Sequence, residues 1–428
     1  MIALVMFVVC LLMLTLGYPV AFTFGGVAVF FGLYAEGLDL FMLVAYRLHA
    51  IMTNITLMAV PLFIFMGLVL EKSGIAERML ESMGLLFGHV RGGLAVSTVV
   101  VGMLLAASTG VVGASVVTMG LIALPVMLKY SYDQQLASGV ICASGTLGQI
   151  IPPSIVLIIL GDVLHQPVGD FYRAALLPGL LLVLLYIIYC LAAAYFKGEA
   201  APAIPRTSKV GIKQYWQAFM AIVPALTLVT AVLGTVIAGV ATPTESAAMG
   251  AAGAIILAVL GGSLRVSALH QVAMETTKIS AMVFTILAGA TFFSMVFTYT
   301  GGDEAVEKIL DYLPGGQWGF VVLMMIAIFL LGFFIDFVEI AYIFVPMIAP
   351  VLLKLDIDPL WFGILIALNL QASFLTPPFG FSLFYLRGVA PLSIRTPHIY
   401  RGVIPFILLQ LIALGLVMLF PGIVRVFL

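Results

Sequence analysis

Residues 106–154 read AASTGVVGASVVTMGLIALPVMLKYSYDQQLASGVICASGTLGQIIPPS. Two clusters of Ser, Thr and Gly, followed by Pro152-Pro153, interrupt sequence that is otherwise apolar enough to sit in lipid. In hydrocarbon an unpaired backbone N–H or C=O is expensive. A helix broken at membrane depth therefore persists only where protein or a polar cavity receives the freed groups. Breaks of this kind are where membrane proteins build ion and solute sites.

The rest of the chain has the composition such a segment needs. Of 428 residues 63% are hydrophobic and 9% charged, with a mean hydropathy of +1.25; soluble domains carry about 25% charge. Apolar runs recur at about 17–25 residues, enough to cross roughly 30 Å of hydrocarbon. Barrel-type alternation is absent, so the expected class is an all-α polytopic membrane protein in a lipid bilayer. A net charge of −1 provides no basic face for nucleic acid. Cys10, Cys142 and Cys190 lie in apolar runs without metal or disulfide spacing. The apolar N-terminus lacks a basic n-region and reads as a first membrane helix rather than a cleaved signal.

Spans are expected over 2–16, 21–34, 53–70 and 174–196, with 71–93 as a polar connection. Residues 94–128 are about twice the length of one crossing. They suit a hairpin of two short helices meeting at Ser108-Thr109-Gly110. Residues 136–161 suit one crossing broken between Ser144-Gly145-Thr146 and Pro152-Pro153. The stretch 197–213, with Lys197, Arg206, Lys209 and Lys213 against Glu199, is the most hydrophilic linker and should be cytoplasmic.

The second half then retraces the first. PVMLKYSYD starts at Pro125 and PVLLKLDID at Pro350; Pro152-Pro153 returns as Pro377-Pro378; Pro19 and Gly26 return as Pro243 and Gly250; Tyr172-Arg173 returns as Tyr400-Arg401. Matched Pro, Gly, Lys, Arg and Asp at a near-constant offset mark a duplication. The domains are thus a first repeat, 1–196, the linker, and a second repeat, 214–428. The second repeat carries a hairpin at 319–354 and a broken helix at 359–388, interrupted from Asn369 to Pro378. An odd number of crossings per half turns the second repeat upside down and places the site where the halves meet.

Half-helix C-termini offer carbonyl oxygens to a hard cation, and N-termini offer N–H groups to a carboxylate. Ser108, Thr109, Ser144 and Thr146 add hydroxyls in the first half. Asn369, Gln371, Ser373 and Thr376 add polar oxygens in the second. Gly110, Gly113, Gly145 and Gly148 permit close backbone approach. Packing is the competing explanation, because Ser, Thr and Gly also populate tight helix contacts in lipid. Asp336 and Glu245 fall in apolar sequence where a carboxylate is costly and usually functional. Glu245, after Thr242 and Thr244, also fits a helix-capping acid, and Glu339 falls near a hairpin surface. Arg173 and Arg401 read as interfacial anchors. The five histidines have no metal spacing.

The motifs ASTGVVGASVVTMGLIALPVMLKYSYD, SGTLGQIIPPSIVLIILGD, GVATPTESAAMGA and NLQASFLTPPFGFSLFYLRG resemble the large membrane subunit, DctM type, of tripartite ATP-independent periplasmic (TRAP) transporters, along essentially the whole chain. The resemblance implies a Na⁺-coupled importer of a small organic acid, of the sialic acid or C4-dicarboxylate class, in the bacterial inner membrane. It implies a periplasmic substrate-binding protein and a small four-helix membrane subunit on a separate chain as partners. It also implies an elevator, with hairpins and broken helices as the transport domain. The flanking spans, with arms near 39–49 and 263–278, would form the scaffold.

On this likeness one Na⁺ site uses Ser108, Thr109, Gly110, Ser144, Gly145 and Thr146; the other uses Asp336, Asn369, Gln371 and Thr376. Substrate would lie between them, against Ser115, Gln149, Pro152, Pro153, Ser154, Ser373, Pro377 and Pro378, with Glu245 a structural or coupling carboxylate. A stand-alone proton- or Na⁺-coupled carboxylate symporter or antiporter is the competing reading. An enzyme is not expected: there is no P-loop, and Ser115 with His165 has no supporting motif.

Overall fold

The computed structural model describes residues 2–204, 212–262, 265–311 and 314–428, and the described residues are helical throughout. Arg206, Lys209, and Ser263 at the start of the second expected arm lie outside them. The first half runs α1 (Ile2–Thr15), α2 (Val20–Glu36), α3 (Asp39–Met52), α4 (Ala59–Lys72) and α5 (Ile75–Phe87). It continues through α6 (Gly93–Thr109), α7 (Val112–Lys129), α8 (Gln134–Thr146), α9 (Ile155–Val163) and α10 (Val168–Phe196). Six helices are individually long and apolar enough to cross a membrane among the described residues. Phe22 and Phe30 on α2 point outward at 73% and 67% exposure, which a hydrocarbon solvent tolerates and water does not.

The second half repeats this order as α11 (Ile212–Ile237), α12 (Pro243–Leu260), α13 (Val266–Tyr299), α14 (Gly302–Asp311) and α15 (Gly316–Leu331). After α15 come α16 (Phe337–Glu339), a π-helical turn over 340–344, α17 (Val345–Lys354), α18 (Pro359–Leu375), α19 (Phe381–Val389), α20 (Thr396–Leu419) and the short α21 (Gly422–Arg425).

Three details differ from the sequence reading. The 71–93 connection contains α5, whose Ile75, Met79, Leu80 and Met83 are buried while Glu77 and Glu81 are exposed, the stripe of an amphipathic helix. The span expected from Thr53 starts instead at a 58° bend between α3 and the helical stretch Thr56–Lys72. Its counterpart α13 is one continuous 34-residue helix, about 51 Å long at 1.5 Å per residue, so the second arm runs straight into its crossing.

Both long interrupted blocks fold back on themselves. The N–H of Leu94, at the start of α6, donates to the Tyr132 hydroxyl just past α7 (3.3 Å), and Thr98 contacts Met127 Sδ at 3.8 Å. In the second half the Gln317 side-chain amide donates to the Asp356 carbonyl (3.3 Å), joining the start of α15 to the end of α17. The turns are short: Gly110 at φ +61° and extended Val111 separate α6 from α7, a conformation that suits glycine. The single crossings break later than expected. α8 stays helical through Thr146 and adds one 3₁₀ turn, 147–149, so its gap is 150–154; α18 stays helical through Leu375, so its gap is 376–380. Pro152-Pro153 and Pro377-Pro378 occupy these gaps.

The helices pack in two sets that meet where α4 and α5 lie against α6. α2 packs on α13, α4 on α12 and α13, and α11 on α5 and α12; α8 packs on α6, α7 and α20, and α18 on α15, α20 and α10. Thus α10 and α20, expected among the flanking spans, belong instead with the hairpins and broken helices. Along α20, Gly402 touches Gln135 and Gly139 of α8 near its start, while the Val417 carbonyl accepts the Trp361 indole N–H (3.0 Å) of α18 near its end. α8 and α18 therefore begin at opposite ends of one membrane-length helix.

The contact between Gly139 and Gly402 is backbone to backbone: a Cβ on either would overlap a carbonyl oxygen of the other helix. Gly139→Leu or Gly402→Leu should lower stability by at least about 2 kcal/mol, the scale of forced overpacking. Gly26→Ala, where a Cβ meets nothing within 4 Å, should be neutral or gain up to about 1 kcal/mol. Thermal unfolding followed in detergent separates the two outcomes.

Candidate functional site

The first half-site is built where hairpin α6–α7 meets the gap between α8 and α9. Side-chain-free positions let them close: added Cβ atoms would strike Ser144 from Gly102, Val116 from Gly145 and the Ala106 carbonyl from Gly148. Gly110 lies against Ile155, the first residue of α9, with an added Cβ 2.9 Å from its Cγ1. Gly113 lies against the Tyr385 ring of α19. Of the four glycines singled out from sequence, only Gly110 has a positive φ; the others serve close approach.

The hydroxyls of this half are already engaged. Thr109 Oγ1 and Ser115 Oγ are 2.7 Å apart across the hairpin tip, and Ser108 Oγ donates to the Leu105 carbonyl (2.8 Å). Ser144 Oγ donates to the Val140 carbonyl (2.5 Å) and Ser154 Oγ to the Gln149 carbonyl (2.8 Å). Gln149 is the exception. It is fully buried, and neither its side-chain nitrogen nor its oxygen has a hydrogen-bond partner. A buried amide left unpaired is costly, which sets Gln149 apart from the satisfied hydroxyls around it. Pro152 and Pro153 beside it are buried.

The second half-site is arranged differently. Asp336 starts the returning arm as an N-cap: its Oδ1 accepts from Phe337 N–H (2.6 Å), while the Glu339 carboxylate accepts from Asp336 N–H. Glu339, read from sequence as near a surface, is the more buried of the two, at 5% exposure; Asp336 is half-buried. Gly332 presses against Ser373, whose hydroxyl donates to the Leu370 carbonyl (2.8 Å). Asn369 donates to the Met325 carbonyl (2.6 Å), tying α18 to α15, and Thr376 Oγ1 donates to the Ala372 carbonyl (2.8 Å). Pro377 is half-buried and Pro378 exposed, with its carbonyl accepting from the Tyr400 hydroxyl (3.2 Å). The two Pro-Pro gaps are thus unequal, one closed and one open to the surface.

Between the half-sites, Gln371 donates through Nε2 to Thr146 Oγ1 (3.3 Å), and Gln410 of α20 donates to the same oxygen (3.4 Å). Thr146 and Gln371 occupy equivalent places in the two repeats, separated by 225 residues. The buried Oε1 atoms of Gln371 and Gln410 and the Tyr186 hydroxyl are unpartnered here, which makes this an incompletely satisfied polar node.

Glu245 takes the capping role that its sequence setting allowed. It is exposed at the start of α12, where its carboxylate accepts from Thr242 N–H (2.8 Å) and its N–H donates to Thr242 Oγ1 (3.2 Å), a capping box. Sequence reasoning missed Asn54, Glu71 and Asp162. Glu71 Oε1 accepts from Thr118 of α7 (2.9 Å), and Asp162 Oδ1 accepts from Asn54 (2.7 Å). Each joins one helix set to the other, through a partner far away in the sequence. Among the described residues no three His, Cys, Asp or Glu side chains converge on a metal-sized space. The donors gathered at the gaps are hydroxyl, amide and carboxylate oxygens, suited to a hard cation.

Residues 5–423 match the family described as tripartite ATP-independent periplasmic transporter, DctM component. The chain belongs to this family. It is 30% identical to the C4-dicarboxylate TRAP transporter large permease protein DctM of Pseudomonas aeruginosa, over 89% of this chain and 87% of that protein. It is 29% identical to the ectoine TRAP transporter large permease protein TeaC of Halomonas elongata, over 96% and 95% of the two chains. Its fold is similar to the crystal structure of the Alcanivorax borkumensis YdaH transporter, with a TM-score of 0.60 at 15% identity, covering 91% of this chain and 90% of that one. The protein is therefore a multi-pass TRAP large permease, a class that works with a small membrane subunit and a periplasmic binding protein.

The shared acceptor at the polar node makes a direct test. Thr146→Val removes the oxygen that both Gln371 and Gln410 donate to and should destabilise the protein by about 1–3 kcal/mol, the cost of stranding buried polar groups. Gln410→Leu should cost less, because it leaves the Thr146–Gln371 bond intact. Denaturation midpoints of the two variants check the order.

Proposed function

We propose that this TRAP permease is a secondary transporter that uses the Na⁺ gradient to import a small organic acid, of the sialic acid or C4-dicarboxylate class, through the bacterial inner membrane. The observation that carries the reading is the contact between Thr146 and its repeat image Gln371, combined with α8 and α18 starting at opposite ends of α20. A two-fold axis through that contact, lying in the membrane plane, makes the halves an inverted repeat with each hairpin entering from its own face. Such pairs suit alternating access, because the same site is presented to either side by one rigid motion.

In this reading α6–α10 and α15–α20 slide as a body against α1–α5 and α11–α14. Na⁺ is held by hydroxyl and carbonyl oxygens around Ser108–Gly110 with Ser144–Thr146, and around Asp336 with Asn369–Thr376. The unpaired amide of buried Gln149 supports a solute site at the first gap. A binding protein delivers the acid outside, and the four-helix small subunit joins as a separate chain. The basic residues Arg91, Lys129, Lys197 and Arg401 gather where α6, α8 and α20 begin and α10 ends, and that face is cytoplasmic.

Proteoliposomes containing both membrane subunits test this with candidate acids supplied on the purified binding protein. Accumulation should require an inward Na⁺ gradient and the binding protein together. Uptake without either ingredient would favour a stand-alone or proton-coupled carrier. Asp336→Asn should reduce Na⁺-dependent uptake at least about tenfold while the protein remains folded, since an amide keeps the cap but loses the charge; an unchanged rate would remove Asp336 from the ion site.

A further inference from the structure

The bend between α3 and α4 is fastened in three directions by neighbouring residues. Asn54 Oδ1 accepts the N–H groups of Thr56 (3.0 Å) and Leu57 (3.4 Å), capping the start of the next helical stretch. The Ile55 carbonyl accepts from Thr244 Oγ1 of α12 (2.8 Å), within the same helix set. The remaining link leaves that set: Asn54 Nδ2 donates to Asp162 Oδ1 at the end of α9 (2.7 Å).

Asp162 stands between two open clefts, each roomy enough for water. One, of about 370 Å³, is lined by Arg47, Asn54, Thr291, Ser294 and His165 among others; the second, of about 470 Å³, runs past Thr56, His165 and Gly169. Both clefts include Asp162 and His165 in their walls. The bond is therefore half-buried yet flanked by room for water on either side. If it parts, the carboxylate and the amide are rehydrated where they stand, and Asn54 keeps its capping role. A hydrogen bond so placed holds a position firmly and releases it without stranding either group.

We propose that Asn54 and Asp162 form a state-selective tie: they hold the α6–α10, α15–α20 body in the position described here and part each time that body slides. The tie rests on the sliding motion proposed above, and it makes both positioning residues rather than ligands of solute or ion. Because α9 begins against the hairpin tip at Gly110 and ends at Asp162, the tie senses the first half-site through one nine-residue helix.

The pair can be exchanged without loss of the contact. In the double variant Asn54→Asp, Asp162→Asn, the carboxylate now at position 54 still caps Thr56 and Leu57 and accepts from the amide now at position 162. Either single change is different: Asn54→Asp sets two carboxylates face to face, and Asp162→Ala removes the acceptor. The test is a distance distribution measured by pulsed electron spin resonance on the full chain in lipid nanodiscs. Spin labels are placed at Val259→Cys on α12 and Leu191→Cys on α10, both exposed; the native cysteines are buried.

Wild type should favour one distance, with a second, minor population. Asp162→Ala and Asn54→Asp should each shift the ratio of the two by roughly tenfold toward the second, as loss of a charge-assisted bond does, and the exchanged pair should restore the wild-type ratio. Two populations whose ratio ignores the single variants, or single variants that the exchange does not rescue, would overturn the tie and leave the sliding motion standing. One unchanging distance in every variant, with and without Na⁺, would overturn the motion and the tie together.

Discussion

The constraint behind this architecture is that a backbone polar group at membrane depth needs a partner inside the protein. Four interruptions occur among the described residues in long apolar blocks, at 110–111, 150–154, 332–336 and 376–380. None faces lipid alone: Gly110 rests on Ile155, Gly148 on Ala106, Gly332 on Ser373 and Gly380 on Phe374. Each interruption is covered by another interrupted element or by its own chain doubling back. This mutual covering draws the hairpins and broken helices into one packed group, which the unbroken α10 and α20 join while the other continuous spans stay outside it.

The same constraint explains the distribution of polar side chains. Hydroxyls near the gaps return to local carbonyls, as Ser108, Ser144, Ser373 and Thr376 do, so the breaks are stable without a ligand. The exceptions are Gln149, with both amide atoms unpaired, and the Thr146–Gln371–Gln410 node, with two unpaired oxygens. Where helices from opposite repeats meet, a small number of polar links replaces what would otherwise be featureless apolar contact.

The two folded-back blocks and the two interrupted crossings were legible in the sequence because Pro, Gly and clustered hydroxyls in apolar runs have few other uses. The positions of the gaps were less so. Ser144, Thr146 and Ser373 are accommodated within a helix by bonding to the preceding turn, while Asn369 and Gln371 bond to neighbouring helices, and the chain leaves the helix only near the prolines. Glu245 was legible as a helix-capping acid from Thr242 and Thr244 before it, and the capping box is what the chain forms there. Asn54, Glu71 and Asp162 were invisible because each gains its meaning from a partner distant in sequence. The allegiance of α10 and α20 was hidden likewise, since an unbroken apolar helix carries no mark of which neighbours it keeps.

The glycine seam has a mechanical corollary. Gly102, Gly145 and Gly148 bring α6, α7 and α8 so near that main chain meets side chain or main chain directly. Interlocked rods of this kind resist shear and tilt alike, so the first hairpin is ill suited to act as a flap. On the opposite leaf, the counterpart of Gly145 is Leu370, and the returning arm contains a loosened π turn with Pro378 left uncovered. The two halves therefore differ in how tightly their interrupted elements interlock, although Gly332 against Ser373 keeps one equally close approach in the second.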